Sequence, residues 1–148
     1  MVELGSERLL LRDWRESDRE PWAAMNADPE VRRYLGGPLS SAQAEAWMLN
    51  YQDDLDRYGY GFWALEVRDS GEFIGFTGLG RSDHGIEIAW RLARPAWGRG
   101  YATEAARVAV DHGFGELAAP EIVAVTMAQN VRSRSVMRRL GMTTDPAD

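Results

Sequence analysis

The stretch that decides the fold is Arg94-Pro95-Ala96-Trp97-Gly98-Arg99-Gly100-Tyr101-Ala102-Thr103-Glu104-Ala105. It predicts the end of a strand, a tight loop with two glycines, and the first turn of a helix. Glycine lets the backbone adopt positive φ and approach a ligand closely. The start of a helix offers unpaired N–H groups and the positive end of the helix dipole, which together favour an anion such as a phosphate. A strand-to-helix turn that needs glycine only for its own backbone is the alternative.

Length, composition and charge narrow the class of protein. The 148 residues fit a single domain over residues 1–148, and 45% hydrophobic with 27% charged residues is ordinary for a globular protein. The formal charge of −6 argues against nucleic acid as a partner. The apolar runs fall short of the ~20 residues that a membrane helix needs. Because we also find no signal-peptide pattern, we expect a cytoplasmic protein that does not engage a membrane.

Metal and thiol chemistry are not expected from this composition. The chain has no cysteine, which excludes thiolate metal sites and cysteine nucleophiles. Its two histidines, His84 and His112, are too few for a histidine-rich metal site, and we expect both to be structural.

The order of helical and strand patterns predicts a mixed α/β (α+β) fold. Ser40 is a good N-cap for a helix, and Asn130 is one for the last helix of the chain. The predicted strands are Arg8–Arg12, then an antiparallel meander of Phe62–Val67, Glu72–Leu79 and Ile86–Leu92, and last a buried strand at Ile122–Met127. A helix from about Ala102 to Leu117 would join the last two strands as a βαβ crossover, which makes them parallel.

These motifs together resemble the GNAT N-acetyltransferases, in particular the RimJ/RimL-like branch. The family's acyl-CoA loop has the pattern Gln/Arg-x-x-Gly-x-Gly/Ala, and Trp97, Gly100 and Ala102 occupy its three fixed positions. Trp97 departs from Gln/Arg, but tryptophan is usual there in this branch. Further similar stretches are Glu7–Arg12, Phe73–Leu79, Asn130–Ser133 and Leu140–Met142, so that the resemblance covers nearly the whole chain in order.

The resemblance implies a fold and a co-substrate. In the family, two parallel strands splay apart and the pantetheine arm of acetyl-CoA lies between them; here these would be Ile86–Leu92 and Ile122–Met127. The pyrophosphate would bind backbone N–H groups of Gly98, Arg99, Gly100, Tyr101, Ala102 and Thr103. Leu92 and Ala93 would offer main-chain groups to pantetheine and the thioester, and Asn130 would bind the pantetheine amide. Arg99 either pairs with a phosphate or simply faces solvent.

The implied reaction is direct transfer of acetyl from acetyl-CoA to a primary amine of a protein N-terminus or a small molecule. Glu87 is the candidate base, since alternation in Ile86-Glu87-Ile88 turns its side chain away from its apolar neighbours. An ordinary surface glutamate is the alternative. Many relatives use a tyrosine seven residues after the asparagine as the acid, but that position holds Met137, which leaves Ser133 as the candidate. Glu104 is expected to be structural or to interact with the helix dipole.

One departure from the family concerns the end of the chain. Relatives continue with two further strands, whereas this sequence stops at Asp148. It is therefore a fragment, or a second subunit supplies the strand in a homodimer, or the sheet has an exposed edge. The alternative function is a non-catalytic acyl-CoA-binding module or an inactive fragment of such an enzyme. A dinucleotide-binding fold is excluded, because the loop lacks the third glycine and follows a meander.

Overall fold

One open, antiparallel sheet forms the centre of the fold. The computed structural model describes residues 3–83 and 85–143. Its strands follow chain order across the sheet, and each pairs antiparallel with the next. They are β1 (Leu4–Gly5), β2 (Leu9–Arg12), β3 (Phe62–Val67), β4 (Phe73–Ser82) and β5 (Gly85–Leu92). The predicted mixed α/β class and the antiparallel meander are confirmed, and only the two-residue β1 was not foreseen.

Residues 3–83 and 85–143 contain four α-helices, and the ends of two of them follow clear sequence signals. They are α1 (Arg19–Ala27), α2 (Ser41–Tyr58), α3 (Tyr101–Gly115) and α4 (Val131–Arg139). Ser40 and Gln43 form a reciprocal capping box at the start of α2, as its Ser-x-x-Gln pattern favours. At the end of α4, Gly141 has φ of 81°. The N–H of Met142 donates to the carbonyl of Met137 at 3.0 Å, which gives a Schellman motif.

The helices cover opposite faces of the sheet. On one face, Trp22 of α1 and Tyr51 of α2 pack with their rings 5.7 and 5.5 Å from the ring of Phe76 on β4. On the other face α3 lies so close that a Cβ on Gly113 would be 3.0 Å from Leu79 of β4. His112 packs edge-on against buried Trp63 there, consistent with a structural role. His84 lies outside the described residues.

Close contact between β3 and β4 depends on a glycine, and we expect Gly78→Ala to lower the free energy of unfolding by about 2 kcal/mol. A Cβ at this position would overlap the carbonyl oxygen of Gly61 and lie 2.7 Å from the Cα of Phe62, both backbone atoms that cannot rotate away. Gly80→Ala is the matched control, because its Cβ would meet only the movable ring of Phe62 at 3.2 Å. Urea denaturation checks the pair, and equal loss in both variants would contradict the packing argument.

The predicted buried strand at Ile122–Met127 is wrong in this structure. A single parallel bridge pairs Val123 with Glu87, and no strand is assigned in the segment. Val125 and Met127 are 63% and 51% exposed. The β-branched pattern reflects side-chain preference, but a strand also needs a partner backbone. Past Val123 the segment leaves β5, so the partner is missing.

Candidate functional site

The separation of the segment 122–127 from β5 creates the site. Val123 donates its N–H to the carbonyl of Ile86 and accepts from the N–H of Ile88, both at 2.9 Å. No further backbone hydrogen bond joins β5 to this segment within the described residues. The segment 122–127 and β5 therefore touch at one point and then diverge, as the resemblance implied for these two parts of the chain.

Beyond that point no neighbouring strand pairs with the outer edge of β5 among the described residues. Along an antiparallel strand, successive residues direct their backbone N–H and C=O groups alternately toward and away from the partner strand. The N–H of Ala93 donates to the carbonyl of Ile74 on β4 at 2.9 Å. It follows that the N–H and C=O groups of Trp90 and Leu92 point away from β4, toward the gap. The carbonyl of Leu92 accepts from the indole Nε1 of Trp97 at 2.9 Å, which ties the glycine loop to the end of β5.

Ala93 does not share this position. Its N–H is used by Ile74, and its carbonyl accepts from the N–H of Ala96 at 2.9 Å. Ala93 is also absent from the residues that line the gap. Of the two predicted positions, Leu92 therefore presents its N–H to the gap, beside both backbone groups of Trp90, whereas both backbone groups of Ala93 are already hydrogen-bonded. The sequence could not reveal this, because it depends on the register between β4 and β5.

The glycine loop lies at the end of this edge and carries backbone N–H groups without acceptors among the described residues. Gly98 and Gly100 have φ of 75° and 80°, in the left-handed region that glycine readily adopts. Gly100 caps α3, and the first intrahelical bond runs from the N–H of Glu104 to the carbonyl of Gly100 at 3.1 Å. The N–H groups from Gly98 to Thr103 have no backbone acceptor among the described residues. Their direction and the helix dipole both favour an anion.

The side chain of Thr103 adds a donor that sequence reasoning did not separate from its backbone. Its hydroxyl oxygen is buried and has no partner among the described residues. Thr103 is the third residue of α3 and lines the cleft. Buried hydroxyl groups are normally hydrogen-bonded, so this one is suited to a ligand atom.

The start of α4 closes the other side of the loop. The side-chain oxygen of Asn130 accepts from the N–H of Ser133 at 3.2 Å, which confirms the predicted cap. The amide NH₂ of Asn130 is left for another acceptor, so capping does not exclude ligand binding. Arg132 lies over the ring of Trp97 at 4.1 Å and links α4 to the loop.

A cleft of about 910 Å³ runs from the loop across the open edge of β5. Glu87 and Ser133 both line it, as do most of the predicted cofactor residues: Leu92, Trp97, Gly98, Gly100, Tyr101, Ala102, Thr103 and Asn130. Arg99 is exposed and outside the lining, with its Nε donating to the carbonyl of Pro95 at 3.3 Å. The cleft also contains residues that the sequence did not single out for binding, including Arg33 and Arg91. They reach it through packing of distant elements, so no local signal marks them.

Glu104 holds the loop helix to the N-terminal hairpin. Its carboxylate accepts from the hydroxyl of Ser6 and from the backbone N–H and Nε of Arg8, the last at 2.7 Å. Arg8 also lies over the ring of Tyr101 at 4.5 Å. Partial burial by itself would raise the pKa of Glu104, but the hydrogen bonds and the charge of Arg8 outweigh it and lower the pKa. The expected structural role is thus supported by its contacts.

We expect Glu104→Gln to destabilise the protein by about 2 kcal/mol at pH 7, because charge-assisted hydrogen bonds are lost. A carboxylate with a lowered pKa in the folded state stabilises above its unfolded value, and this contribution disappears as pH falls through the folded pKa. The difference between wild type and variant should therefore shrink below pH 4.5, the unfolded value. Thermal unfolding from pH 7 to pH 3 checks this. A constant difference across the range would contradict it.

Two further observations concern metals and membranes. Within residues 3–83 and 85–143, no three His, Cys, Asp or Glu side chains lie together as a metal site would require. In the same residues, no helix combines the length and the apolar character of a bilayer span.

Comparison with known sequences gives the same reading as the geometry. Residues 8–143 match the family model described as an acetyltransferase (GNAT) domain. The chain is 31% identical over 146 residues to the uncharacterized protein YkkB of Bacillus subtilis (strain 168), covering 95% of this chain and 85% of YkkB. It is 30% identical over 145 residues to the uncharacterized N-acetyltransferase p20 of Bacillus licheniformis, covering 95% of this chain and 82% of p20.

Solved structures share the fold. The acetyltransferase from Agrobacterium tumefaciens str. C58 superposes with a TM-score of 0.90 at 29% identity, over 100% of this chain and 87% of that one. RimL, the ribosomal L7/L12 α-N-protein acetyltransferase in complex with coenzyme A, superposes with a TM-score of 0.78, over 94% of this chain and 82% of its own. At 17% identity this second likeness concerns the fold alone. From the family match, these relatives and the glycine loop beside an open strand edge, we conclude that the chain belongs to the GNAT family and is an acetyl-CoA-dependent acetyltransferase.

Proposed function

We propose that this enzyme acetylates a primary amine, with the pantetheine of acetyl-CoA lying along the open edge of β5. The observation that carries the proposal is the single contact between Val123 and β5, followed by a gap that ends at the glycine loop. In the gap, the N–H and C=O of Trp90 and the N–H of Leu92 would bond an amide-containing chain as they would a neighbouring strand. The family match over residues 8–143 supports one domain over this sequence.

The loop would bind the pyrophosphate of the same molecule. The unpaired N–H groups from Gly98 to Thr103 supply donors that converge on an anion, and the hydroxyl of Thr103 supplies one more. The free amide NH₂ of Asn130 would reach a pantetheine carbonyl. Arg99 would contribute through its charge at the rim, since it does not line the cleft.

Glu87 would act as the base. It lies on the side of β5 that faces α1 and α2, opposite Gly80 on β4, and lines the cleft without an ion pair among the described residues. The amine nitrogen attacks the thioester carbon as its proton passes to the carboxylate of Glu87, directly or through water. The C–S bond then breaks and the thiolate of CoA leaves. An α-amino group, with a free pKa of ~7.7–8.0, gives up its proton more readily than lysine at ~10.4.

Ser133 would help the leaving thiolate. Its backbone N–H is used by Asn130, which fixes the residue at the start of α4, facing the cleft. A hydroxyl group does not lose its proton freely, so Ser133 would relay a proton from solvent to sulfur by hydrogen bonding. Met137 lines the same cleft and has no proton to donate.

Acyl-CoA binding without turnover is the second candidate function, favoured by methionine at position 137. The test is release of free CoA thiol from acetyl-CoA in the presence of a panel of primary amines. Amine-dependent thiol release, with the acetylated amine identified by mass, supports the transferase. Tight binding of CoA with no release above the amine-free rate supports the binding module.

Cytoplasmic location and a homodimer stay predictions. Sedimentation of the purified protein with and without CoA would test the second.

A further inference from the structure

One arginine that lines the cleft and a second, buried arginine near it have no carboxylate partner among the described residues. Arg32, in the α1–α2 connection, is only 3% exposed, and Arg91 on β5 lines the cleft. Both guanidinium groups face the ring of Trp47, at 5.2 and 5.8 Å. Their hydrogen bonds go to neutral groups, such as the side-chain oxygen of Asn26, 3.1 Å from Arg91, and the carbonyl of Gly37, 2.8 Å from Arg32. No acidic side chain among the described residues forms an ion pair with either arginine.

Each arginine also keeps a buried nitrogen without an acceptor. Nη1 of Arg32 and Nε of Arg91 are both buried and have no partner in the part of the chain described. A buried donor left unpaired costs about 1–3 kcal/mol, and more when it is charged. A neutral side chain of similar size would fill the same space without this cost. Packing alone therefore does not account for two such groups.

Both arginines carry their positive charge in surroundings that disfavour it. Burial lowers the pKa of Arg91 to about 10, with the nearby charge of Arg32 acting in the same direction, while Tyr51 opposes both. Burial likewise lowers the pKa of Arg32. Arg91 is still charged at pH 7, so two cations lie close together among aromatic rings in a protein of net charge −6.

The position of Arg91 relates this charge to the reaction. Side chains alternate along a strand, so Glu87, Ala89 and Arg91 share the face of β5 that looks toward α1 and α2. Two residues of extended chain span about 7 Å. An acceptor whose amine lies beside Glu87 or Ala89 would thus bring a group on a short arm close to Arg91. Glu87 is the acidic group on this face of β5, and it stands four residues from Arg91.

We propose that the acceptor carries an oxyanion, a carboxylate or a phosphate, which binds the guanidinium of Arg91. Arg32 lies behind it and adds charge without contacting the cleft. This inference rests on the proposed function, since it assigns the substrate class of the same cleft. A bound oxyanion would supply the acceptor that Nε of Arg91 lacks and would offset the repulsion between the two arginines.

The test is an anion titration of the protein saturated with CoA, which keeps the glycine loop filled. Sodium acetate and inorganic phosphate are the two probes, at constant ionic strength. The readouts are the melting temperature and the ¹⁵N resonance of the Arg91 Nε–H group. We expect a saturable rise in melting temperature and a shift of that resonance, and the stronger probe tells carboxylate from phosphate. Arg91→Met should weaken the response at least ~10-fold, whereas Arg57→Met, an exposed arginine paired with Asp53, should leave it unchanged.

Arg91→Lys guards against misfolding as an explanation, because it keeps the charge and should retain part of the response. The proposal is overturned if neither anion gives a saturable response in wild type, or if Arg91→Met responds as wild type does. Its failure is distinct from that of the proposed function. If the protein responds to anions but releases no thiol, the anion site at Arg91 stands and the transferase function is contradicted. If it releases thiol but does not respond to anions, the transferase function stands and the anion site is contradicted.

Discussion

Replacing Gly100 by aspartate is expected to weaken CoA binding about 1000-fold, roughly 4 kcal/mol. The residue caps α3 with φ of 80°, and its N–H belongs to the donors that face the proposed pyrophosphate. Space is not the obstacle, since the nearest atom to a new Cβ is Nη2 of Arg8 at 3.5 Å. The loss comes from a carboxylate placed where the phosphates bind, together with backbone strain at positive φ. Calorimetric titration with CoA measures it.

Gly59→Asp is the matched control for this variant. Gly59 ends α2 with φ of 75°, has open space where its Cβ would be, and does not line the cleft. The Gly59→Asp substitution imposes the same backbone strain and adds the same charge, but far from the glycine loop. Its CoA affinity should equal that of wild type. If both variants lost affinity alike, the effect would belong to general destabilisation and the loop would lose its assignment.

Changing Glu87 to glutamine is expected to lower kcat about 100- to 1000-fold, in the range that removal of a general base produces. The substitution keeps the size of the side chain and removes its ability to accept a proton. CoA affinity should stay within about twofold, because Glu87 lies at the opposite end of β5 from the glycine loop. Steady-state rates of thiol release measure kcat, and calorimetry measures the affinity.

Glu72→Gln serves as control here, since Glu72 is exposed at the β3–β4 turn, outside the cleft. An unchanged kcat in Glu87→Gln would remove the base assignment while leaving the loop assignment intact. A kcat deficit that disappears when the acceptor's amine is already deprotonated at high pH would support proton removal as the role.

Features coded by local sequence were predictable. The strand Phe62–Val67 was predicted with the bounds that the structure shows, because a run of aromatic and aliphatic residues and flanking turns define it. Ser40 and Asn130 cap their helices as expected, since a cap needs only its own neighbours. The positive φ of Gly98 and Gly100 follows from residue type in the same way.

Features that depend on a distant part of the chain could not be predicted from the sequence. The segment Ile122–Met127 has strand-like residues, but whether it pairs is decided by its distance from β5. Whether the backbone groups of Ala93 are hydrogen-bonded depends on the register between β4 and β5. The position of the Arg91 side chain depends on how α1 packs against the sheet through Asn26. Each requires two parts of the chain to be placed together, which one-dimensional patterns do not contain.

The contact between Arg132 and Trp97 has a practical consequence. The indole of Trp97 stands at the loop with a guanidinium 4.1 Å from its ring centre, and its Nε1 is bonded to the carbonyl of Leu92. We expect a phosphate bound at the loop to compete with the ring for Arg132 and so to change the electric field on the indole. Occupancy of the loop should then be observable through the fluorescence of Trp97 in unlabelled protein.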